Sequence, residues 1–374
     1  DINKVNNVDT FEIEYNNKNL NRSMEGFNPH HQGFDDEIRI LRERSNSFKK
    51  MKNSVQFNKR EKINSVKFEN GINCILEINS KFFGVGNLIG DLIIIDSKSL
   101  KTIQTIREHN GTIISLCLLH DKGILSCSAD RTMKKIRISP DGSEYTVEFV
   151  FHGYNNYIFK GIELMNSYKI ITCSWDDKLF VWDYKDDTDY ENSLTFNSGE
   201  RVQDLLEINA NSCVSISDNN NLKFWSSKNF KNLAVINYIK CIGAPNALCK
   251  LNEWTLCILD YHEIQLVDLV EKKLINSFNV DDGNLSCIIK LRDNSLLIAE
   301  DFNTDSYCIF YIKQFFYDNG DLQLVSYKKD KFYKSNKNND KEIRALVQFS
   351  NDVIVQGVTG EYNGKDSGDL FFYY

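Results

Sequence analysis

Proline is nearly missing from this chain: three in 374 residues, at Pro29, Pro140 and Pro245. The scarcity goes with an abundance of Asn, Lys and Ile, a skew of base composition that carries no function. No apolar run approaches the roughly 20 residues that a bilayer-spanning helix needs. The polar start offers no secretory signal. The chain begins with Asp1, so a fragment or processed product is expected, with functional sequence upstream. Ten cysteines include no C-x-x-C pair and none near a histidine at zinc-ligand spacing, so no metal site is expected. Most lie in apolar strand patterns, such as Ile171-Thr172-Cys173, and read as buried free thiols of a reducing compartment, cytoplasmic or nuclear. A basic surplus is missing too. The net charge is −7, and residues 63–374 hold 33 basic against 42 acidic side chains. Nucleic acid is therefore not an expected partner.

What is present in quantity is apolar and aromatic residues, 41% and 12% of the chain, enough for a large core. Residues 1–34 are Asn-rich and without periodicity, and read as a disordered or draped arm. Residues 35–53 offer the one helix, acidic at its start and basic at its end, with Ile38, Ile40, Leu41, Phe48 and Met51 as an incomplete stripe. Residues 37–62 carry nine Lys or Arg against three Glu. Ser45 and Ser47 follow arginines closely, a pattern that basophilic kinases accept, and phosphate there would reverse much of the local charge. The expected division is a polar arm over 1–62 and one β domain over 63–374.

From residue 63 onward, apolar residues alternate over five to eight positions between Asn, Asp and Gly clusters. Three segments share an ending. Ser128-Ala129-Asp130-Arg131-Thr132 runs into Met133–Ile136, Ser174-Trp175-Asp176-Asp177-Lys178 into Leu179–Asp183, and Ser217-Asp218-Asn219-Asn220-Asn221 into Leu222–Trp225. The serines stand 46 and 43 residues apart, close to the ~40–45-residue period of a four-stranded propeller blade. A repeat of that size cannot bury its own apolar faces and must stack on its neighbours.

On these residues the chain resembles the WD40-repeat family. The resemblance covers residues 63–374, with the firmest matches in blades two to four; blades one and five end in Ile95-Asp96 and Val267-Asp268, and blade six has neither. It implies an all-β, seven-bladed propeller whose inner strands start near Ile72, Ile113, Ile158, Val202, Asn246, Leu285 and Ile343. An expanded, Lys- and Asn-rich connection is expected at Phe315–Lys341. The last blade ends on Leu370–Tyr374 as a third strand. Lys62–Gly71 parallels Lys101–Gly111, so Ile63–Phe68 is expected to supply the fourth strand and close the ring.

The resemblance also implies a structural hydrogen-bond network in each blade. His109 pairs with Asp130 and with Ser126 or Ser128, while Ile136 replaces the usual Trp. Blade three supplies Ser174, Asp176 and Trp182, with Asn155 where His is usual, and Trp225 closes the same pattern in blade four. His109, Asp130 and Ser128 also have the residue types of a catalytic triad, but no Gly-x-Ser-x-Gly elbow presents a nucleophile. Gly84-Val85-Gly86 is followed by a strand, so it lacks the geometry of a dinucleotide loop. Asp281, Asp282 and Asp301 read as turn carboxylates, and His30 and His31 as solvated residues of the arm.

Function is expected on the face where inner strands begin, which in this family commonly binds peptides and partner domains. Tyr157, Trp175, Arg201, Asp218, Tyr261 and Phe302 fall there, and aromatics and Arg are enriched at binding hot spots. The reading is a non-catalytic interaction scaffold, with no cofactor and no small-molecule substrate, that recognises a peptide or partner domain within an assembly. Its rivals are a substrate-recognition subunit of a ubiquitin ligase, a propeller enzyme with titratable residues at the channel, and membrane docking through Lys328–Lys341, which holds six Lys against two Asp.

Overall fold

The computed structural model describes residues 57–374 apart from 166, 187–188, 210–211, 227–231, 238–246, 280–282, 304–306, 319, 334–340 and 363–364. The expected helix at 35–53, Ser45, Ser47, His30, His31 and the expected strand start at Asn246 lie outside the described residues. So do Asp281 and Asp282.

Seven four-stranded antiparallel sheets follow one another along the chain. From inside outward, blade one is Ile72–Glu77, Phe82–Asn87, Leu92–Asp96 and Thr102–Ile106. Blade two is Ile113–Leu118, Ile124–Ser128, Met133–Ile138 and Tyr145–Phe151. Blade three is Ile158–Glu163, Ile170–Ser174, Lys178–Asp186 and Asp189–Asn197. Blade four is Val202–Asn209, Ser212–Ser217, Asn221–Ser226 and Asn232–Asn237. Blade five is Ala247–Lys250, Thr255–Leu259, Glu263–Asp268 and Lys273–Asn279. Blade six is Asn284–Lys290, Leu296–Asn303, Tyr307–Asp318 and Asp321–Tyr333. Blade seven is Lys341–Gln348, Ile354–Tyr362 and Lys365–Tyr373, with Lys62–Phe68 as its outer strand.

The core lies between blades, as stacking requires. Seven clusters of buried apolar side chains each span one pair of neighbouring blades. Second strands such as Ile124–Ser128 and Ile170–Ser174 are buried along their whole length, because a blade covers each face. The thiols behave accordingly. Burial pushes Cys74, Cys127, Cys213 and Cys287 up to about 12 and Cys249 to about 11, so they remain protonated packing groups.

Two segments differ from the sequence reading. Phe315–Lys341 is largely strand rather than connection: 12- and 13-residue strands form a hairpin whose register runs from Tyr307↔Tyr333 to Asp318↔Asp321. Its tip reaches over blade five, where Tyr317 Oη meets Thr255 Oγ1 at 3.1 Å and Leu322 joins the shared core. That burial stabilises strand pairing beyond the usual blade length. Phe57, read as part of the polar arm, lies in a 3-10 turn and is fully buried between blades six and seven. Its N–H donates to Gln314 Oε1 at 2.8 Å and its ring lies 5.1 Å from that of Tyr373.

A buried carboxylate offers a pH-dependent probe of the fold. Asp301, expected in a turn, instead lies in the second strand of blade six and is 4% exposed. Burial, and then the charge of Glu342, push it up to about 7, against opposing effects of Ser286 and Arg344. Its folded value lies above its unfolded one, so the proton favours the fold. That contribution is fully present at the acid end and is lost as pH rises from about 4 to about 7. Asp301→Asn should therefore raise stability at pH 8 by up to about 4 kcal/mol and change little near pH 4. Urea titrations at both values check this; equal effects at the two would show that Asp301 ionises normally.

Candidate functional site

The site begins with an irregularity that six blades share. In blades one, two, three, four, six and seven the inner strand shifts register after its first buried residue. Ile72, Ile113, Ile158, Val202, Leu285 and Ile343 are at most 1% exposed. The extra residues that follow, Asn73, Ile114, Phe159, Gln203, Ser286 and Arg344, are all partly or fully exposed. A bulge re-aims the side chain it carries. On this face the turn between second and third strands is also repeated: Arg131, Asp177 and Asn220 have φ of 68°, 62° and 63°, and Gly90 has φ of 99°. The left-handed residue lets a four-residue turn close on a twisted hairpin.

In blade three these two devices build an aromatic stack. Trp175 donates its backbone N–H to the Tyr157 carbonyl at 3.0 Å. Its ring lies 4.6 Å from Phe159 at 18° and 5.8 Å from Tyr157 at 26°. The Arg201 guanidinium of blade four lies 5.6 Å from the indole centre, a cation–π contact. Asp218 donates its backbone N–H to the Arg201 carbonyl at 3.0 Å, the same turn-to-strand bond one blade on. Tyr157, 44% exposed, and Arg201 face solvent, while Trp175 and Phe159 are half-buried beneath them. The Trp175 Nε1 atom is buried without a hydrogen-bond partner among the described residues. Below the stack, Lys160 Nζ pairs with Asp204 at 2.6 Å, and Asp204 also accepts the Leu248 N–H at 2.7 Å, which ties blades three, four and five together.

The fold thus gathers Tyr157, Trp175, Arg201 and Asp218. Tyr261 belongs to blade five, where it is exposed and its carbonyl accepts the Leu285 N–H at 2.8 Å. Phe302 belongs to blade six and packs edge-on against Tyr311 at 5.6 Å. Phe159 was missed, since an aromatic in a strand pattern reads as core until the bulge is known.

The network residues have separate roles. In blade two His109 Nδ1 meets Asp130 at 2.9 Å and Nε2 meets Ser126 Oγ at 2.8 Å, so Ser126 is the partner of the imidazole. Ser128 instead caps the turn, donating to the Gly111 carbonyl at 2.9 Å and accepting the Asp130 N–H at 3.0 Å. Asp130 also accepts from Thr132 and from the Asn110 N–H. Against the cost of burial, the hydrogen bonds from His109 and Thr132 hold its carboxyl well below the usual range. The Ser126–His109–Asp130 line has the connectivity of a triad, yet Ser126 is fully buried, so no substrate carbonyl can reach it.

Blade three corrects the sequence reading. Tyr154, not Asn155, takes the place of His109: its hydroxyl meets Thr172 Oγ1 at 2.7 Å and accepts the Trp182 indole N–H at 2.9 Å. Asn155 contributes its backbone N–H to Asp176 at 2.9 Å, as Asn110 does to Asp130. Ser174 accepts the Asp176 N–H at 3.2 Å, while Asp176 Oδ1 is buried without a partner among the described residues. In blade four Glu200 takes over the carboxylate role, accepting from Ser217 and from Asn221 at 2.5 Å and pairing with Lys223 at 3.3 Å. The Trp225 indole donates to Ser215 at 2.8 Å. Among the described residues no group of three or more His, Cys, Asp or Glu could hold a metal ion, and no helix is long and apolar enough to cross a membrane.

The profile of the family described as WD domain, G-beta repeat, matches residues 100–135, which span the outer strand of blade one and the His109–Asp130 network. No curated protein is similar enough in sequence to count as a relative. Among solved structures, the chain is similar to the crystal structure of the WD40 β-propeller domain of Doa1, with a TM-score of 0.59 and 14% identity, over 83% of this chain and 96% of that one. The chain is a seven-bladed β-propeller whose fold is similar to that of a WD40 propeller domain, and its residues 100–135 match the WD repeat.

Proposed function

We propose that this propeller is a non-catalytic platform that holds a protein partner on the rim of blades three and four. The observation that carries the reading is the stack of Phe159, Trp175 and Arg201 with the exposed Tyr157. Stacking orders an aromatic and a guanidinium before any partner arrives, which lowers the entropy cost of binding. Aromatics and Arg are also the side chains that most often dominate interface energetics. Asp218 borders this surface, while Tyr261 and Phe302 would extend it along the same face for a larger partner. The buried, protonated thiols suit a reducing compartment, so a cytoplasmic or nuclear setting is proposed with it.

Affinity capture with quantified partners tests the reading. Tyr157→Ala and Trp175→Ala should each release partners that wild type retains, by about thirtyfold in affinity for a hot-spot aromatic. Trp254→Ala serves as the control, because Trp254 is 65% exposed in the turn at the other end of blade five. Thermal melts should stay close to wild type for Tyr157→Ala. Partners that persist in both rim variants but vanish when residues 1–53 are removed would move the binding surface to the arm.

A further inference from the structure

We infer that the partner segment on this rim carries a carboxylate, an aspartate or glutamate side chain that pairs with Arg201 beside an apolar side chain packed on Tyr157. The inference rests on the rim reading above and names what the rim selects. Arg201 is exposed, and among the described residues no carboxylate approaches its guanidinium within ion-pairing distance. Its neighbour Glu200 is already occupied by Ser217, Asn221 and Lys223. Held 5.6 Å from an indole centre and without a carboxylate partner among the described residues, the guanidinium can offer its fork of N–H groups to the two oxygens of a carboxylate. Phe159 stacks on the indole at 4.6 Å and 18°, which restrains the ring that the arginine meets.

The local field argues for a single negative charge. Asp176 and Asp177 follow Trp175 in the chain, and the Asp218 backbone is bonded to that of Arg201. These carboxylates oppose a phosphate, with nearly two charges, more than they oppose a carboxylate. Tyr157 supplies the second half of the subsite: its ring lies 5.8 Å from Trp175, and 44% of the residue is open to an apolar neighbour of the acid.

The test uses the full chain and a phage-displayed library of random peptides. Selected peptides should share Asp or Glu next to an apolar residue. Anisotropy titration of a labelled selected peptide should show at least about a tenfold loss for Arg201→Gln and a smaller loss for Arg201→Lys, which keeps the charge without the fork. Peptides that lose binding to Tyr157→Ala but bind Arg201→Gln as wild type overturn the carboxylate and leave the rim reading standing. Peptides indifferent to both substitutions, or no selected peptide at all, overturn both. A phosphoserine that binds more tightly than glutamate at the same peptide position would overturn the carboxylate in favour of a phosphorylated partner.

Discussion

A chain that starts at Gly71 is expected to lose cooperative folding and to aggregate, whereas one that starts at Asn53 should melt as the full chain does. The shorter chain lacks Lys62–Phe68, whose ladder runs from Lys62↔Tyr373 to Phe68↔Gly368. It therefore leaves the Lys365–Tyr373 strand as an open edge that carries Leu370, Phe371, Phe372 and Tyr373. An apolar edge of that kind pairs with other chains. The same cut removes Phe57, which fills the space between blades six and seven against Tyr373, Phe310 and Leu297. Phe57→Ala in the full chain isolates this second contribution: it should cost about 3–5 kcal/mol while the edge stays covered. Circular-dichroism melts followed by light scattering separate the cases. Equal melting of the two truncated chains would refute ring closure, and an unaffected Phe57→Ala would refute the plug.

Trp182→Ala should be the most damaging substitution in blade three, at about 3–5 kcal/mol for a buried indole. The ring is 5% exposed and packs edge-on to Phe151 at 5.0 Å, across the interface between blades two and three. Tyr154→Phe keeps that packing but deprives the indole N–H and Thr172 of their partner, and should cost about 1–3 kcal/mol. Asp176→Ala should cost less than either, because Asp176 receives one backbone donor and its other oxygen is already unsatisfied. Equilibrium urea unfolding ranks the three. If Asp176→Ala dominates and Tyr154→Phe has no effect, the carboxylate is the anchor of this blade and the tyrosine is only packing.

The repeat was legible because stacking imposes it on local sequence. A strand covered on both faces is mostly apolar or carries small hydroxyls, and the turn between two such strands admits a left-handed residue. Ser128–Thr132, Ser174–Lys178 and Ser217–Asn221 show both requirements within a few residues. The closing strand was legible for the same reason, since Lys62–Gly71 repeats the outer-strand pattern of Lys101–Gly111. The blade-three network was misread by one position. Tyrosine and histidine both present a hydrogen-bonding atom at the end of a flat ring, so Tyr154 can stand in for an imidazole, and residue identity alone pointed to the wrong neighbour.

By itself, then, the sequence determined the class of fold, the seven blades and the way the ring closes, because each follows from patterns of two to ten residues repeated at a fixed spacing. It also named Tyr157, Trp175, Arg201, Asp218, Tyr261 and Phe302 as the residues expected on one face. Only the tertiary structure decided which of the six rim candidates meet, since a bulge after Ile158 and the step between adjacent blades bring Phe159 and Arg201 to Trp175 while leaving Tyr261 and Phe302 on other blades. Only it decided that Phe57 is core and that the blade-six hairpin lies over blade five. Those contacts join residues more than 60 positions apart, such as Phe57 with Gln314 and Thr255 with Tyr317. Local periodicity holds no information about such pairs, whose stability comes from burying surface that belongs to two blades at once.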